Sequence, residues 1–201
     1  MNKRRKLYRI TAVMLCLILM VGFGTGFSAK AETTVYTAMG QQELLWAIDK
    51  AKDGDTILIG GNISMCDFGD PEKQVILERM TAETTISLQY GANVQNIVFD
   101  GKDIKTNIPM VTIQGDFTIE NCTFQNCNNK RNDGGGIGGA VQVKSGTGNF
   151  NNCNFNQNSA IAGGHIAVMS NTNVTFKQCD MKNGYGYSKG GAILIALHRL
   201  L

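Results

Sequence analysis

A short pattern repeats three times between about residues 119 and 195, and this repeat constrains the fold more than any other feature. Each copy carries a cysteine with an apolar residue three positions before it and another two positions after it, and then two glycines followed by a short apolar run. The first glycines of the pairs are 25 and 27 residues apart. A fixed period in this range predicts one structural unit that is stacked on itself. The aligned residues are Cys122, Cys153 and Cys179, together with Gly138, Gly163 and Gly190.

The repeated unit is predicted to consist of short strands. In Val141-Gln142-Val143 a polar residue separates two apolar ones, which is the strand period of two. Asn, Gly and Ser, which favour turns, stand between such runs, and no helical pattern separates them. We therefore expect an all-β chain in which each copy forms one coil of a parallel β-helix. About five to six coils are expected, each rising by about 4.8 Å.

Like residues recur at like positions, so columns of matched side chains are expected in the interior. The cysteines of one column are predicted to act as small hydrophobic residues, because in-register parallel side chains point poorly at one another for a disulfide. Five cysteines follow residue 31, an odd number that predicts a free thiol or an intermolecular bond. The other columns are expected to hold Ile57/Ile59, Ile86/Leu88, Val111/Ile113 and Val141/Val143; Val94, Ile119, Phe150 and Phe176; and Phe99, Phe124, Phe155 and Met181.

Residues 1–31 have the features of a secretory signal peptide. Basic residues open the segment, an apolar run extends from Ile10 to about Phe23, and a small-x-small cleavage site precedes Glu32. An uncleaved membrane anchor is the alternative, but the apolar run is short for a span and contains glycines. The sequence thus predicts a secreted or cell-surface protein without membrane attachment after cleavage.

Removal of this segment changes the charge of the chain. The first 31 residues hold six of the 19 Lys and Arg and none of the 16 Asp and Glu, which leaves 13 basic against 16 acidic residues, a net charge of −3. No basic patch of the kind that binds nucleic acid remains, so no nucleic-acid partner is expected. The length that remains suits one domain.

The remaining chain is divided into an N-terminal strand and helix (residues 32–55), the β-helix (residues 56–195) and an irregular tail (residues 196–201). An amphipathic helix is predicted over residues 41–52, with Leu44 and Ile48 on its apolar face. This helix is expected to cap the first coil, because an open β-helix end exposes unpaired backbone groups. The tail offers no comparable cap. It predicts either a chain that is truncated relative to a longer ancestor or self-association through the open C-terminal end.

Two segments resemble known families. Residues 44–57, Leu-Leu-x-Ala-Ile-x-x-Ala-x-x-Gly-Asp-Thr-Ile, resemble the opening of many secreted right-handed parallel β-helix proteins, the pectin-lyase-like superfamily. Residues 155–166, Phe-Asn-Gln-Asn-Ser-Ala-Ile-Ala-Gly-Gly-His-Ile, resemble the Phe-x-x-Asn and Gly-Gly-Ala-Ile repeat of chlamydial-type polymorphic outer-membrane proteins, which are surface adhesins. The first resemblance implies a right-handed β-helix and the second implies adhesion.

A polysaccharide lyase or glycoside hydrolase of the pectin-lyase-like class is the enzymatic alternative. A β-helix lyase needs clustered carboxylates for calcium and a basic residue near the sugar, and the closest fit is Asp100, Lys102 and Asp103. Calcium is expected only under this alternative. No other cofactor or metal site is predicted, because no Cys-x-x-Cys pair is present. His165 occupies a repeat position and is expected either to be packed in the coil or to lie on the surface of a strand.

The long connection at residues 128–137 supplies the remaining binding candidates, Lys130 and Arg131, since function on such scaffolds usually lies on side loops. We favour a secreted or cell-surface binding or adhesion module without catalysis. Its partner would be a carbohydrate or a protein on a host or cell surface. A truncated fragment without independent function is the third possibility.

Overall fold

The computed structural model describes residues 33–130 and 136–196 of the 201-residue chain. The predicted signal peptide, Arg131 and residues 197–201 of the predicted tail lie outside the described residues. The expectations of cleavage before Glu32 and of an open C-terminal end fall there too.

The described residues form short strands and a single helix. In chain order these are β1 (Val35–Ala38), α1 (Gln41–Lys50), β2 (Thr56–Ile59), β3 (Asn62–Met65), β4 (Phe68–Gly69), β5 (Val75–Arg79), β6 (Thr85–Leu88), β7 (Ala92–Gln95), β8 (Ile97–Asp100), β9 (Val111–Gln114), β10 (Phe117–Glu120), β11 (Thr123–Gln125), β12 (Asn128–Asn129), β13 (Val141–Asn151), β14 (Asn154–Asn156), β15 (Ser159–Ala162), β16 (Ile166–Val168), β17 (Thr172–Lys177), β18 (Asp180–Lys182), β19 (Tyr185–Lys189) and β20 (Ile193–Ile195).

The strands pair in parallel and form three sheets. The seven-stranded sheet has the order β1-β2-β5-β8-β11-β14-β18. The ten-stranded sheet has two arms that the long strand β13 joins: the first arm contains β3, β6, β9, β16 and β20, and the second arm contains β4, β7, β10 and β17. The small sheet has the order β12-β15-β19.

The chain visits these sheets in the same order again and again. From β11 it passes through the small sheet at β12 and both arms at β13, and it returns at β14, which pairs with β11. The next circuit runs through β15, β16 and β17 and returns at β18, which pairs with β14. The prediction of an all-β chain of parallel strands is confirmed. The circuit is consistent with a β-helix or solenoid-like fold.

The pairing registers show which residues stack. Val141 pairs with Val111 on one side and with Ile166 on the other, and Phe124 pairs with Phe99 and Phe155. Each residue thus lies beside its counterpart in the neighbouring circuit, with the inward side chains forming one continuous core.

One predicted register is wrong. Ile57 pairs with Leu77 and so belongs to the column that holds the stacked phenylalanines, not to that of Ile86. Ile63 occupies the place beside Ile86 instead. The step from Ile63 to Ile86 is only 23 residues, shorter than the later steps. Two apolar pairs, Ile57/Ile59 and Ile63/Met65, stand six residues apart here. The spacing of the later circuits predicted the first pair, which is the wrong one.

Aromatic rings stack along the core at the strand spacing. The ring of Phe124 lies 4.8 Å from that of Phe99 and 4.9 Å from that of Phe155, and both pairs are nearly parallel. A second stack joins Phe150 to Phe176 at 5.3 Å. Because buried aromatic rings contribute large apolar areas, these stacks supply much of the stabilisation of a thin core.

Amide residues turn the corner between the second arm and the seven-stranded sheet. These residues adopt the left-handed backbone conformation, with φ between 51° and 53°, which Asn tolerates better than most residues. Their side chains also bond along the stack, as where Asn152 Nδ2 donates to Asn121 Oδ1 at 2.8 Å. The residues of this corner are Asn96, Asn121, Asn152 and Gln178.

Glycine pairs make the corner before the first arm. The first glycine of each pair has positive φ: 71° at Gly138, 67° at Gly163 and 58° at Gly190. A Cβ at Gly139 would collide with the carbonyl oxygen of Gly164, and one at Gly164 with that of Gly191. The repeated Gly-Gly motif therefore has two causes, a left-handed turn and close backbone stacking.

The helix α1 ends two residues earlier than predicted, and its apolar face is buried. Leu44, Ala47 and Ile48 belong to the same core cluster as the apolar side chains of β2. The helix contacts β1, β2, β3 and β4.

Candidate functional site

The turn after β8 holds the acidic and basic residues that would serve a lyase. The Asp100 carboxylate is buried and accepts bonds from Gln125 Nε2 at 2.8 Å, from Asn126 Nδ2 at 3.2 Å and from the Lys102 backbone N–H at 2.8 Å. Lys102 Nζ lies 3.2 Å from Glu78 Oε1. The Asp100 carboxylate thus fastens two circuits together.

Asp103 is directed elsewhere in the same turn. Its Oδ1 accepts a bond from Asn128 Nδ2 at 2.8 Å, and both Asp103 and Lys102 have positive φ of 54°. Apart from the bond from the Lys102 backbone to Asp100, the side chains of the three predicted residues contact different neighbours. Their contacts tie the turn to the adjacent circuits.

The cysteines lie mostly in the interior. Cys122, Cys153 and Cys179 precede residues that pair with one another in the seven-stranded sheet, so they form one column. No disulfide joins the cysteines of the described segments. Burial raises the pKa of the Cys153 thiol to about 12, which keeps it protonated and unreactive at neutral pH.

A chain of polar groups runs beside the cysteine column inside the coil. Asn158 Oδ1 accepts the Cys127 backbone N–H at 3.0 Å, and Asn158 Nδ2 donates to the Phe124 carbonyl at 2.8 Å and to His165 Nδ1 at 3.0 Å. Cys127, Asn158 and His165 are fully buried. Of the two roles predicted for His165, the burial agrees with the packed one. Burial lowers the pKa of His165 to about 4, so its imidazole is neutral at physiological pH.

Two exposed tyrosines and a lysine form a cluster on the outer face of the small sheet. Lys130 Nζ stands 4.6 Å from the ring centroid of Tyr187 and 5.1 Å from that of Tyr185. The two rings are 6.0 Å apart in an edge-on arrangement, and the tyrosines are 54% and 63% exposed. We call these three residues the Lys130 cluster.

The register of the small sheet explains this cluster. Asn128 pairs with Ser159, and Ser159 pairs with Tyr185. Every second residue of a strand faces the same side. Lys130 and Tyr187 come two residues after Asn128 and Tyr185, so they lie on the same outer face, two circuits apart. Gly186 between the tyrosines faces the interior, where an added Cβ would collide with the Gly190 carbonyl oxygen.

Sequence reasoning identified Lys130 but missed the two tyrosines. The signal was present, because the left-handed residues Asn126, Gln157 and Asn183 mark equivalent corners. Lys130 and Tyr187 each follow such a corner by four residues. Lys130 and Tyr187 therefore belong to one column when residues are counted from these corners. The Phe-x-x-Asn motif gave no such signal, because it is interrupted in the last circuit.

A second concave surface lies on the outer face of the first arm. Its volume is about 400 Å³, and residues 107–109 form one wall. Ser87 Oγ and Thr112 Oγ1, 3.1 Å apart, line its floor together with Gln142. No aromatic side chain lines this groove. It offers hydrogen bonds but no flat apolar face.

The described residues contain neither a metal-binding group nor a membrane-spanning helix. No group of three or more His, Cys, Asp or Glu side chains in residues 33–130 and 136–196 is placed to hold a metal ion. Within the same ranges, no helix is both long and apolar enough to cross a membrane.

Comparison of the chain with protein-family models, with curated proteins and with solved structures found no match. The resemblances to the pectin-lyase-like superfamily and to the adhesin repeat therefore stay predictions.

Proposed function

We propose that the chain is a non-catalytic binding module, secreted or held at the cell surface, that recognises acidic polysaccharide. Its scaffold would be a right-handed parallel β-helix, since crossovers between parallel strands are right-handed in nearly all proteins. The helix α1 would close the first coil, an assignment that its buried apolar face and its contacts with β1 to β4 support. The predicted signal peptide supports the extracellular location.

The Lys130 cluster is the observation that carries this proposal. Two exposed tyrosine rings in contact with each other and with a lysine form a surface suited to recognition, because Tyr provides a rigid contact area that loses little entropy on binding. The apolar C–H face of a pyranose ring suits such a surface. Lys130, held over both rings, supplies the positive charge that a uronate carboxylate or a sulfate group would pair with.

The contacts of Asp100 favour binding over lyase chemistry. Calcium or a sugar proton would need free carboxylate oxygens, whereas both oxygens of Asp100 already accept bonds from amide groups of the neighbouring circuit. Lys102 is paired with Glu78 on the opposite side. The turn would have to release these contacts before it could act as a lyase.

The proposal is tested by electrophoresis of the purified chain in gels that contain polygalacturonate, its fully methyl-esterified form, or dextran. Retardation is expected in the acidic polymer alone and should weaken as salt is added. Tyr187→Ala and Lys130→Ala should each weaken binding by about tenfold, the equivalent of about 1.4 kcal/mol. Lys130→Arg should retain it.

Tyr90→Ala is the matched control, since Tyr90 is 79% exposed but lies in the turn between β6 and β7. Its binding should equal that of the unmodified chain. Binding that survives both cluster variants, or no retardation by any polymer, contradicts the proposal. Calcium-dependent release of unsaturated product from polygalacturonate, abolished by Asp100→Ala, would establish the lyase instead.

A further inference from the structure

Arg79 is the most unusual buried residue of the described chain. It is 2% exposed and stands on the inward side of β5, in the column that holds Ala38 and Ile59. Arginine is almost never fully buried without a partner, because its guanidinium stays charged at any physiological pH. A position that otherwise holds small or aliphatic side chains therefore carries a fixed positive charge.

The hydrogen bonds of Arg79 are incomplete. Nη2 donates to the Ile108 carbonyl oxygen at 3.4 Å, which is a long bond. Nε and Nη1 are buried and have no hydrogen-bond partner. Nearly all buried polar groups in folded proteins are satisfied, so two unpartnered N–H groups on one cation indicate a missing acceptor.

The surrounding chain leaves the guanidinium without a neighbouring side chain in the next circuit. Glu78 pairs with Asp100, so the residue beside Arg79 is Gly101. A Cβ at Gly101 would lie 2.5 Å from the Asn126 carbonyl oxygen, which keeps this position free of any side chain. The groups known to act on Arg79 are the Ile108 carbonyl and the Cys127 thiol.

Cys127 does not neutralise the charge. It is fully buried, and burial raises its pKa to about 12 even though the charge of Arg79 acts in the opposite direction. A protonated thiol carries no charge. Among the described residues, no carboxylate lies within ion-pair distance of Arg79, and Asp100 directs its oxygens to Gln125 and Asn126.

We propose that Arg79 holds a small monovalent anion of the chloride class inside the coil, bound by Nε–H and Nη1–H. The anion would complete the hydrogen bonds of the guanidinium and balance its charge, for which the described residues supply no counter-ion. It would be a structural ligand, taken up as the β5 and β8 circuits close over it. This proposal is independent of the polysaccharide surface.

The test follows urea unfolding of the full chain in sodium chloride and in sodium gluconate at equal ionic strength, so that screening is unchanged. Gluconate is too large to replace chloride in the interior. An anion that binds only the folded state raises the folding constant about tenfold for each tenfold rise in its concentration above the dissociation constant. The urea midpoint should therefore rise with chloride and not with gluconate.

Arg79→Met should abolish this dependence, whereas Lys102→Met, which removes an exposed charge from the nearby turn, should preserve it. If Arg79→Met does not fold, crystals of the unmodified chain grown in bromide decide the question, because an anomalous peak beside Arg79 Nε is expected. Equal midpoints in both salts, or no peak in bromide, would overturn the proposal.

Two further outcomes would also overturn the anion proposal, because each would identify a side chain as the counter-ion of Arg79. Thiolate absorbance at neutral pH that disappears in Cys127→Ser would show that Cys127 is ionised. Asp133, in the connection at residues 128–137, lies outside the described residues. Loss of stability in Asp133→Asn, together with no response to chloride in the unmodified chain, would assign the role to that carboxylate.

Discussion

Asn158 Nδ2 donates to His165 Nδ1 at 3.0 Å in the interior of the coil, and this bond fixes the imidazole as the tautomer with its proton on Nε2. Asn158 can present only its N–H₂ group to the ring, because its Oδ1 already accepts the Cys127 backbone N–H. The buried Nε2–H has no hydrogen-bond partner. A second proton would sit on Nδ1 and face the amide N–H₂ group, so the folded chain opposes protonation of His165.

The first prediction is a loss of stability in mild acid. Burial lowers the pKa of His165 from 6.5 to about 4, so the unfolded chain takes up a proton first as the pH falls. The contribution of neutral His165 to the free energy of unfolding is complete above pH 6.5. It is lost as the pH falls from 6.5 to about 4, a decrease of about 3 kcal/mol. His165→Ala should flatten the urea-midpoint profile over this window.

Alanine is a suitable replacement because Ala140 and Ala192 occupy the equivalent positions in the neighbouring circuits. His198→Ala, which changes the only other histidine, is the control and should leave the profile unaltered. Identical profiles for His165→Ala and the unmodified chain would show that His165 is not the acid-sensitive group.

The second prediction concerns the glycine corners. Gly163→Ala combines a left-handed backbone, which costs about 1–2 kcal/mol, with a Cβ that collides with the Ile166 carbonyl oxygen, which adds about 1–3 kcal/mol. Gly91→Ala is the control, because Gly91 has φ of +74° but open space around its Cβ position. Gly91→Ala should lower the free energy of unfolding by only about 1–2 kcal/mol, which is the cost of the left-handed backbone. Equal losses in urea unfolding would show that the collision with the Ile166 carbonyl oxygen adds nothing to the cost of the left-handed backbone at Gly163.

The third prediction concerns the order in which thiols react. Cys66 is exposed and should react with a thiol reagent within the dead time of mixing, and the half-exposed Cys179 should follow. Cys122, Cys127 and Cys153 should react only after unfolding, because burial raises their pKa values. Peptide mass mapping identifies each site. Cys66→Ser should remove the fast phase alone, and early labelling of Cys153 would contradict the buried column.

The fourth prediction is that Asp100 is structural. Asp100→Asn places an amide group against donors from Gln125 and Asn126, and it should lower the free energy of unfolding by roughly 1–3 kcal/mol. Asp103→Asn, at an exposed position with one bond to Asn128, should change it by less than about 0.5 kcal/mol. Similar small effects of the two substitutions would show that the buried contacts of Asp100 contribute little.

The repeat was sufficient to predict the parallel strands and the pairing of Val141 with Val111, because the period of two and the circuit length act together. The repeat could not assign Ile57 to its column. The 23 residues from Ile63 to Ile86 are fewer than in the later circuits of that column, so the expected spacing pointed to Ile57 instead. Arg79 gave no periodic signal either, since it interrupts an apolar column instead of continuing one. Tyr185 and Tyr187 were missed because their contact with Lys130 bridges two circuits, so it depends on the number of residues in each corner.

The in-register pairing also determines how the chain responds to mechanical tension. If the two ends of the described region are pulled apart, load falls first on the outermost circuit, whose backbone bonds join it to one neighbour only. Each circuit of 20 to 31 residues would then peel away as a separate event. It would release roughly 65–110 Å of extended chain. A tether of this kind lengthens stepwise under force while the remaining circuits keep their shape.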